Sequence, residues 1–117
     1  AGTRVELRCP DPAANPYLVL AVCLEAGLDG IRNQITPPDA VTENVFEMQL
    51  QQRAKLGIES LPGDLEQAVE ELEKDDYIKN VLGGHITEKY LEAKKAEWAD
   101  YRAQVTEWEI EKYLYKI

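Results

Sequence analysis

The sequence is short of the residues that most often build a self-contained site. It has one histidine, two cysteines, one methionine and one phenylalanine in 117 residues. His85 follows Gly83-Gly84 and has no second metal-ligand candidate at helical spacing, so it reads as a capping or surface residue. Cys9 and Cys23 flank a turn and form no Cys-x-x-Cys pair, which indicates neither a zinc site nor a redox motif. Both are expected to be reduced and buried, as free cysteine commonly is, since a disulfide would need an oxidising compartment. Basic residues are outnumbered, 13 against 22 acids, for a formal charge of -9. That excludes nucleic acid as a partner, because affinity for a phosphate backbone comes from Lys and Arg displacing counterions. Long apolar runs are missing too. The stretch from Pro16 to Ala26 is interrupted by Glu25 and falls short of the roughly 20 residues a membrane span needs. Ala1 to Pro12 lacks the basic-then-apolar layout of a signal peptide, so the expected location is cytoplasmic.

What is present suits one folded domain. Apolar residues make up 44% and charged residues 30%, with no low-complexity run and no internal repeat, which is the composition of a globular chain with a modest core. The expected fold is mainly α with a short N-terminal β-strand. Thr3 to Arg8 alternates, placing Arg4, Glu6 and Arg8 on one face and Val5 and Leu7 on the other. Cys9-Pro10-Asp11-Pro12 ends that strand, because proline donates no ladder bond and restricts its predecessor.

From there onward the reading is helical. Asn15-Pro16 is an N-cap followed by proline at the first helical position, and Tyr17 to Ala26 is apolar almost all round, with Gly27 and Gly30 as its exit. Few helices in so small a domain can be covered on every side, so other chain material is expected to cover this one. Pro37-Pro38-Asp39 lies in a loop, and a short helix is expected from Glu43 to Lys55, stopped by Gly57. Asp64 caps a helix with Gln67 three residues on and an apolar stripe of Leu65, Ala68, Val69 and Leu72. Asp75 or Asp76 caps the next, which holds Tyr77, Ile78, Val81 and Leu82 and ends at Gly83-Gly84. A longer helix from Ile86 to Gln104 carries Ile86, Tyr90, Lys94, Trp98, Tyr101 and Val105 on one face, the Lys94 stem covering apolar surface while its ammonium reaches water. Thr106-Glu107-Trp108-Glu109 is a capping box that opens a last helix, with Trp108, Ile110, Tyr113 and Leu114 as buried candidates. The acidic stretch from Glu66 to Asp76 reads as a solvated face, with Glu70 four residues before Lys74.

One segment looks chemical. Arg4, Glu6 and Arg8 set two cations around a carboxylate on one face, which suits a meeting point of a metal-bound polyphosphate and an anionic substrate. Glu6 could ligate Mg2+, a hard ion that prefers oxygen, while planar guanidinium forks neutralise phosphate or carboxylate. An exposed strand face with Glu6 paired to neighbours across a sheet fits the same pattern.

Taken together, Thr3 to Gln34 resembles the bacterial-type glutamine synthetase family. The matching residues run from Thr3 through Leu18 and again through Glu25-Ala26-Gly27-Leu28-Asp29-Gly30-Ile31. The likeness continues through Asn44-Val45-Phe46, Leu61-Pro62-Gly63-Asp64-Leu65 and Glu92-Ala93-Lys94, so it spans essentially the whole chain. It implies the C-terminal part of an α+β catalytic domain, with residues 1–12 as the active-site strand and turn and 13–117 as the helical region. The activity it implies is ATP-dependent ligation of ammonia to glutamate through a γ-glutamyl phosphate, in a ring-shaped homo-oligomer, a dodecamer, using Mg2+ or Mn2+. In that family the residue matching Glu6 ligates a metal, the one matching Arg4 lies at the transferred phosphate, and the one matching Arg8 holds the glutamate carboxylate. The family's other metal ligands, adenine pocket and ammonium site lie upstream. The chain is therefore expected to be a fragment that is inactive alone and binds neither ATP nor metal alone, with the strand unpaired and the N-terminal third prone to self-association. Phe46 stands where one branch carries an adenylylated tyrosine. Glu43 to Met48 resembles instead the type I alpha branch, governed by feedback inhibition and regulatory protein partners. Two other readings compete: a stand-alone helical interaction module derived from the synthetase end, and a relative that ligates γ-glutamyl amines or polyamines.

Overall fold

Every regular element among the described residues is helical. The computed structural model describes residues 2–114. In chain order these hold α1 (Pro16–Arg32), a 3-10 turn (Val45–Glu47), α2 (Leu50–Lys55), α3 (Leu65–Lys74), α4 (Asp76–Leu82), α5 (Gly84–Arg102) and α6 (Glu107–Glu109), the last running into a π turn at Ile110–Leu114. None of these helices is long and apolar enough to cross a membrane. The chain divides into two compact units, Ala1–Leu61 and Pro62–Ile117.

The strand expected at Thr3–Arg8 does not form among the described residues. A strand needs a partner's donors and acceptors, and no second extended segment pairs with this one. Its would-be apolar face stays in solvent, with Val5 96% and Leu7 55% exposed.

In the first unit α1 starts as expected, with the Asn15 side chain accepting from the backbone N–H of Tyr17 and Leu18 and Pro16 at the first helical position. It does not leave at Gly27 or Gly30 but continues through both to Arg32. Gln34 supplies the left-handed residue at φ 52, Ile35 N–H donates to the Gly30 carbonyl at 2.9 Å and Gln34 N–H to that of Ile31 at 3.3 Å, a Schellman closure without glycine. Side-chain links from Arg32 to Glu25 at 3.1 Å and from Asn33 to Asp29 at 2.7 Å hold the last turns. No residue of α1 is buried, and Tyr17, Leu20, Leu24 and Ile31 lie open.

The single helix expected from Glu43 to Lys55 is split in two. Met48 takes an extended backbone conformation between the 3-10 turn and α2, and it is the buried apolar residue of this unit. Turning Met48 inward breaks the helical run. Gly57, at φ 66, then closes α2, with Ile58 N–H donating to the Arg53 carbonyl at 2.9 Å.

The second unit is built on α3, α4 and α5, each packed against the other two. The caps are the expected ones. Asp64 accepts from Gln67 N–H at 2.8 Å, and Asp75 from Ile78 N–H at 3.0 Å. The α5 face departs from expectation. Thr87 is buried and Tyr90, Leu91, Lys94 and Trp98 are half-buried, whereas Ile86, Tyr101 and Val105 are exposed. Thr87 tolerates burial because its hydroxyl donates to the Lys79 carbonyl at 3.1 Å. Lys94 snorkels as expected, half-buried, with its ammonium 2.6 Å from Glu97 and 5.9 Å from the Tyr90 ring centre. α5 also ends at Arg102, short of Gln104. The Thr106–Glu109 capping box forms, but of the candidates behind it Ile110 is half-buried while Trp108, Tyr113 and Leu114 are exposed, the two rings meeting edge to face at 5.8 Å.

Candidate functional site

The three charged residues singled out in the sequence come together. Arg4, Glu6 and Arg8 stand at alternate positions, and Glu6 accepts from both arginines. Arg8 reaches its Oε1 through Nη2 at 2.7 Å and Nε at 3.1 Å, and Arg4 Nη2 lies 3.5 Å from Oε2. The triplet is open to solvent: the side chains of Arg4, Glu6 and Arg8 are 68%, 50% and 84% exposed. Just beyond it Asp11 makes the turn, its carboxylate accepting from Ala13 N–H at 2.8 Å and its carbonyl from Ala14 N–H at 2.9 Å. The turn and the capped start of α1 follow at once, so this end of the segment is anchored on local hydrogen bonds.

Chemically the triplet offers two guanidinium forks for anions and one carboxylate for a hard cation. Glu6 fits as one oxygen ligand of Mg2+ or Mn2+. Among the described residues no group of three or more His, Cys, Asp or Glu side chains could hold a metal, so Glu6 stands as a single donor.

The residues set aside in the sequence lie where a surface role puts them. His85 is exposed at the start of α5. On α3, Lys74 pairs with Glu71 at 2.8 Å rather than with Glu70, and that hydrogen bond, reinforced by the charges of Glu71 and Glu70, raises its pKa. Asp76 is held below the usual carboxylate range by its bond to Lys79. Glu73 and Glu66 pair across to Lys95 and Arg102 on α5, at 2.6 and 3.8 Å. Both cysteines are free, but Cys9 is exposed and Cys23 half-buried, so the burial expected of them is not found. Among the described residues nothing covers Cys9, which stands just before Pro10 at the end of the triplet segment. Phe46 is 95% exposed at the tip of the 3-10 turn, where Asn44 caps Phe46 N–H at 3.2 Å and donates to Glu47 at 2.9 Å.

Comparison with known proteins agrees with the sequence reading at the level of the family. Residues 1–113 match the family model described as glutamine synthetase, catalytic domain. A glutamine synthetase of Clostridium saccharobutylicum is 53% identical over 99% of this chain and 26% of its own length. One of Thermotoga maritima is 53% identical over 97% of this chain and 26% of its own length, and one of Methanocaldococcus jannaschii 51% over 96% and 25%. The chain thus spans about a quarter of the length of the curated relatives it matches.

Proposed function

The chain belongs to the glutamine synthetase catalytic-domain family, and from that premise we propose that it supplies one wall of the active site of an ATP-dependent glutamate–ammonia ligase. In that reaction a side-chain carboxylate oxygen of glutamate bonds to the γ-phosphorus of ATP and ADP leaves. Ammonia then bonds to the acyl carbon of the γ-glutamyl phosphate, its nitrogen gives up a proton, and inorganic phosphate leaves. The observation that carries the reading is the Arg4–Glu6–Arg8 triplet, two cations gathered on one carboxylate in a segment that matches the family.

Glu6 is the proposed ligand for Mg2+ or Mn2+, which supplies positive charge beside the phosphoryl group. Arg4 directs its donors to the transferred phosphate, and Arg8 receives the glutamate carboxylate on its planar fork. Positioned cations of this kind are the main protein contribution to phosphoryl transfer, whose charge is spread over the phosphoryl oxygens. That these relatives are glutamine synthetases supports ammonia, rather than a larger amine, as the acceptor.

Other features of the reading come with the family. The working form is a cytoplasmic ring-shaped homo-oligomer, a dodecamer, of the type I alpha branch. Phe46 supports that branch: at an exposed turn, where a tyrosine would be open to adenylylation, it has no hydroxyl to modify. Control through feedback inhibition and regulatory protein partners follows.

The direct test is Arg8→Ala in an intact synthetase carrying this sequence. Loss of a charge-assisted fork should raise the KM for glutamate about 10- to 100-fold while kcat changes little, the signature of binding shared by ground and transition states. An unchanged KM for glutamate would remove Arg8 from the substrate role.

A further inference from the structure

A groove of 240 Å³ runs between α3 and α5. Its floor is apolar, made by the buried Val69, the half-buried Trp98 and Ala99. The indole nitrogen of Trp98 is buried without an acceptor among the described residues, so the part of the ring left open is carbon. Tyr101 stacks on Trp98 with ring centres 5.7 Å apart and is itself exposed, which extends the aromatic surface. Two ion pairs bound the groove, Glu66 with Arg102 at 3.8 Å and Glu73 with Lys95 at 2.6 Å, their acids about two turns apart on α3. Glu70 lies between them on the same wall. The cation four residues on, Lys74, pairs with Glu71 instead, and Glu70 makes no ion pair among the described residues.

We propose that this groove docks a basic segment of another protein, which enters it with an arginine side chain. Charge sets the occupant. Three carboxylates against two cations leave the groove with a surplus of one negative charge, and that surplus is Glu70. One guanidinium neutralises it: its fork takes both Glu70 oxygens while its plane lies against the Trp98 ring, a pairing that a compact, strongly hydrated ammonium makes less well. The net charge of -9 on the chain draws a basic partner toward it. The rim decides between a visiting protein and a permanent cover. Glu66, Glu73, Lys95 and Arg102 are between 41% and 63% exposed and already paired, so they are satisfied in water. A surface closed for good inside one assembly is more apolar than this, whereas a polar rim around an aromatic floor suits a partner that comes and goes.

Fluorescence anisotropy tests this with a fluorescein-labelled peptide of alternating glycine and arginine and with its lysine counterpart. Each is titrated with the 117-residue chain and with an intact synthetase carrying this sequence, as wild type, Glu70→Gln and Glu59→Gln. Glu59→Gln removes an exposed carboxylate outside α3 and α5 and so controls for overall charge. Glutamine is a good helix former at the exposed position 70, and circular dichroism confirms that helicity is kept. Glu70→Gln should weaken the arginine peptide about three- to tenfold in both proteins, and Glu59→Gln by less than about twofold. The wild type should prefer arginine to lysine about threefold or more. Equal losses in the two variants, equal affinity for the two peptides, or no binding of the arginine peptide overturns the site, the first two by revealing general attraction to an acidic chain. Binding to the 117-residue chain that is lost in the intact synthetase overturns the visiting partner, because the synthetase then covers the groove itself.

Discussion

Lys95 Nζ sits 2.6 Å from a carboxylate oxygen of Glu73, tying α5 to α3 across 22 residues of sequence. Both side chains are about half exposed, so the pair gains little over hydration, and Lys95→Ala should lower stability by less than about 1 kcal/mol. Val69, on the same helix as Glu73, is 7% exposed. Val69→Ala removes two buried methyl groups and should cost about 2 kcal/mol, cavity included. Urea denaturation of the two variants should rank them in that order; the reverse would place the hold between α3 and α5 in charge rather than in packing.

Two glycines should respond to alanine with opposite signs. Gly30 lies inside α1 without a positive φ, and a Cβ there meets nothing within 4 Å. Gly30→Ala should therefore stabilise α1 by about 0.5–1 kcal/mol in this chain. Gly83 has equal room but sits at φ 78 and ψ 153, a region closed to other residues, and Gly83→Ala should cost about 1–3 kcal/mol. Helicity by circular dichroism and thermal midpoints would show the contrast.

The capping box of α6 sets a pH dependence. Backbone N–H donation from Thr106, and then its hydroxyl, hold the Glu109 carboxyl below its usual pKa. A depressed carboxylate stabilises the folded form above the unfolded value of about 4.3, and the contribution fades as pH falls through the lower folded value. Thr106→Ala deletes the hydroxyl and keeps the N–H. It should weaken the helix start by about 1 kcal/mol and reduce, without abolishing, the acid sensitivity of that segment. Chemical shifts of the Glu109 side chain against pH, in the wild type and in Thr106→Ala, measure this directly.

Arg4→Ala in an intact synthetase should lower kcat about 10²- to 10³-fold, as loss of a donor aimed at developing charge does, with the KM for glutamate little changed. A rise confined to that KM would exchange the roles proposed for Arg4 and Arg8.

The 117-residue chain by itself should form no glutamine from glutamate, ammonia, ATP and Mg2+, since among the described residues no group of ligands joins Glu6, where a catalytic metal needs several. Glutamine production that depends on Glu6 would sink that expectation.

Local signals were legible and partner-dependent ones were not. Asn15, Asp64, Asp75 and Thr106 cap as their spacing indicates, because an N-cap bond is made within three residues. The end of α1 escaped because glycine is the usual left-handed residue, and here Gln34 takes that place while Gly27 and Gly30 stay helical. The burial of Thr87 has no local signal, since it depends on a carbonyl eight residues away. The alternation of Arg4, Glu6 and Arg8 pointed to the triplet, whose shared carboxylate the structure then displays. A strand at 3–8 was beyond the reach of pattern alone, since alternation states which face is apolar but not whether a neighbour exists to pair with.

Lys79 concentrates the order of the second unit at one corner. Its ammonium is 2.6 Å from the Glu73 carbonyl at the end of α3 and 2.8 Å from the Asp76 carboxylate that opens α4, while its own carbonyl accepts from Thr87 on α5. Three helices thus share a keystone no larger than one residue. Fraying at that corner exposes the end of α3 and the start of α5 to water in the same event, so amides in the three helices should exchange with solvent as one cooperative opening rather than helix by helix.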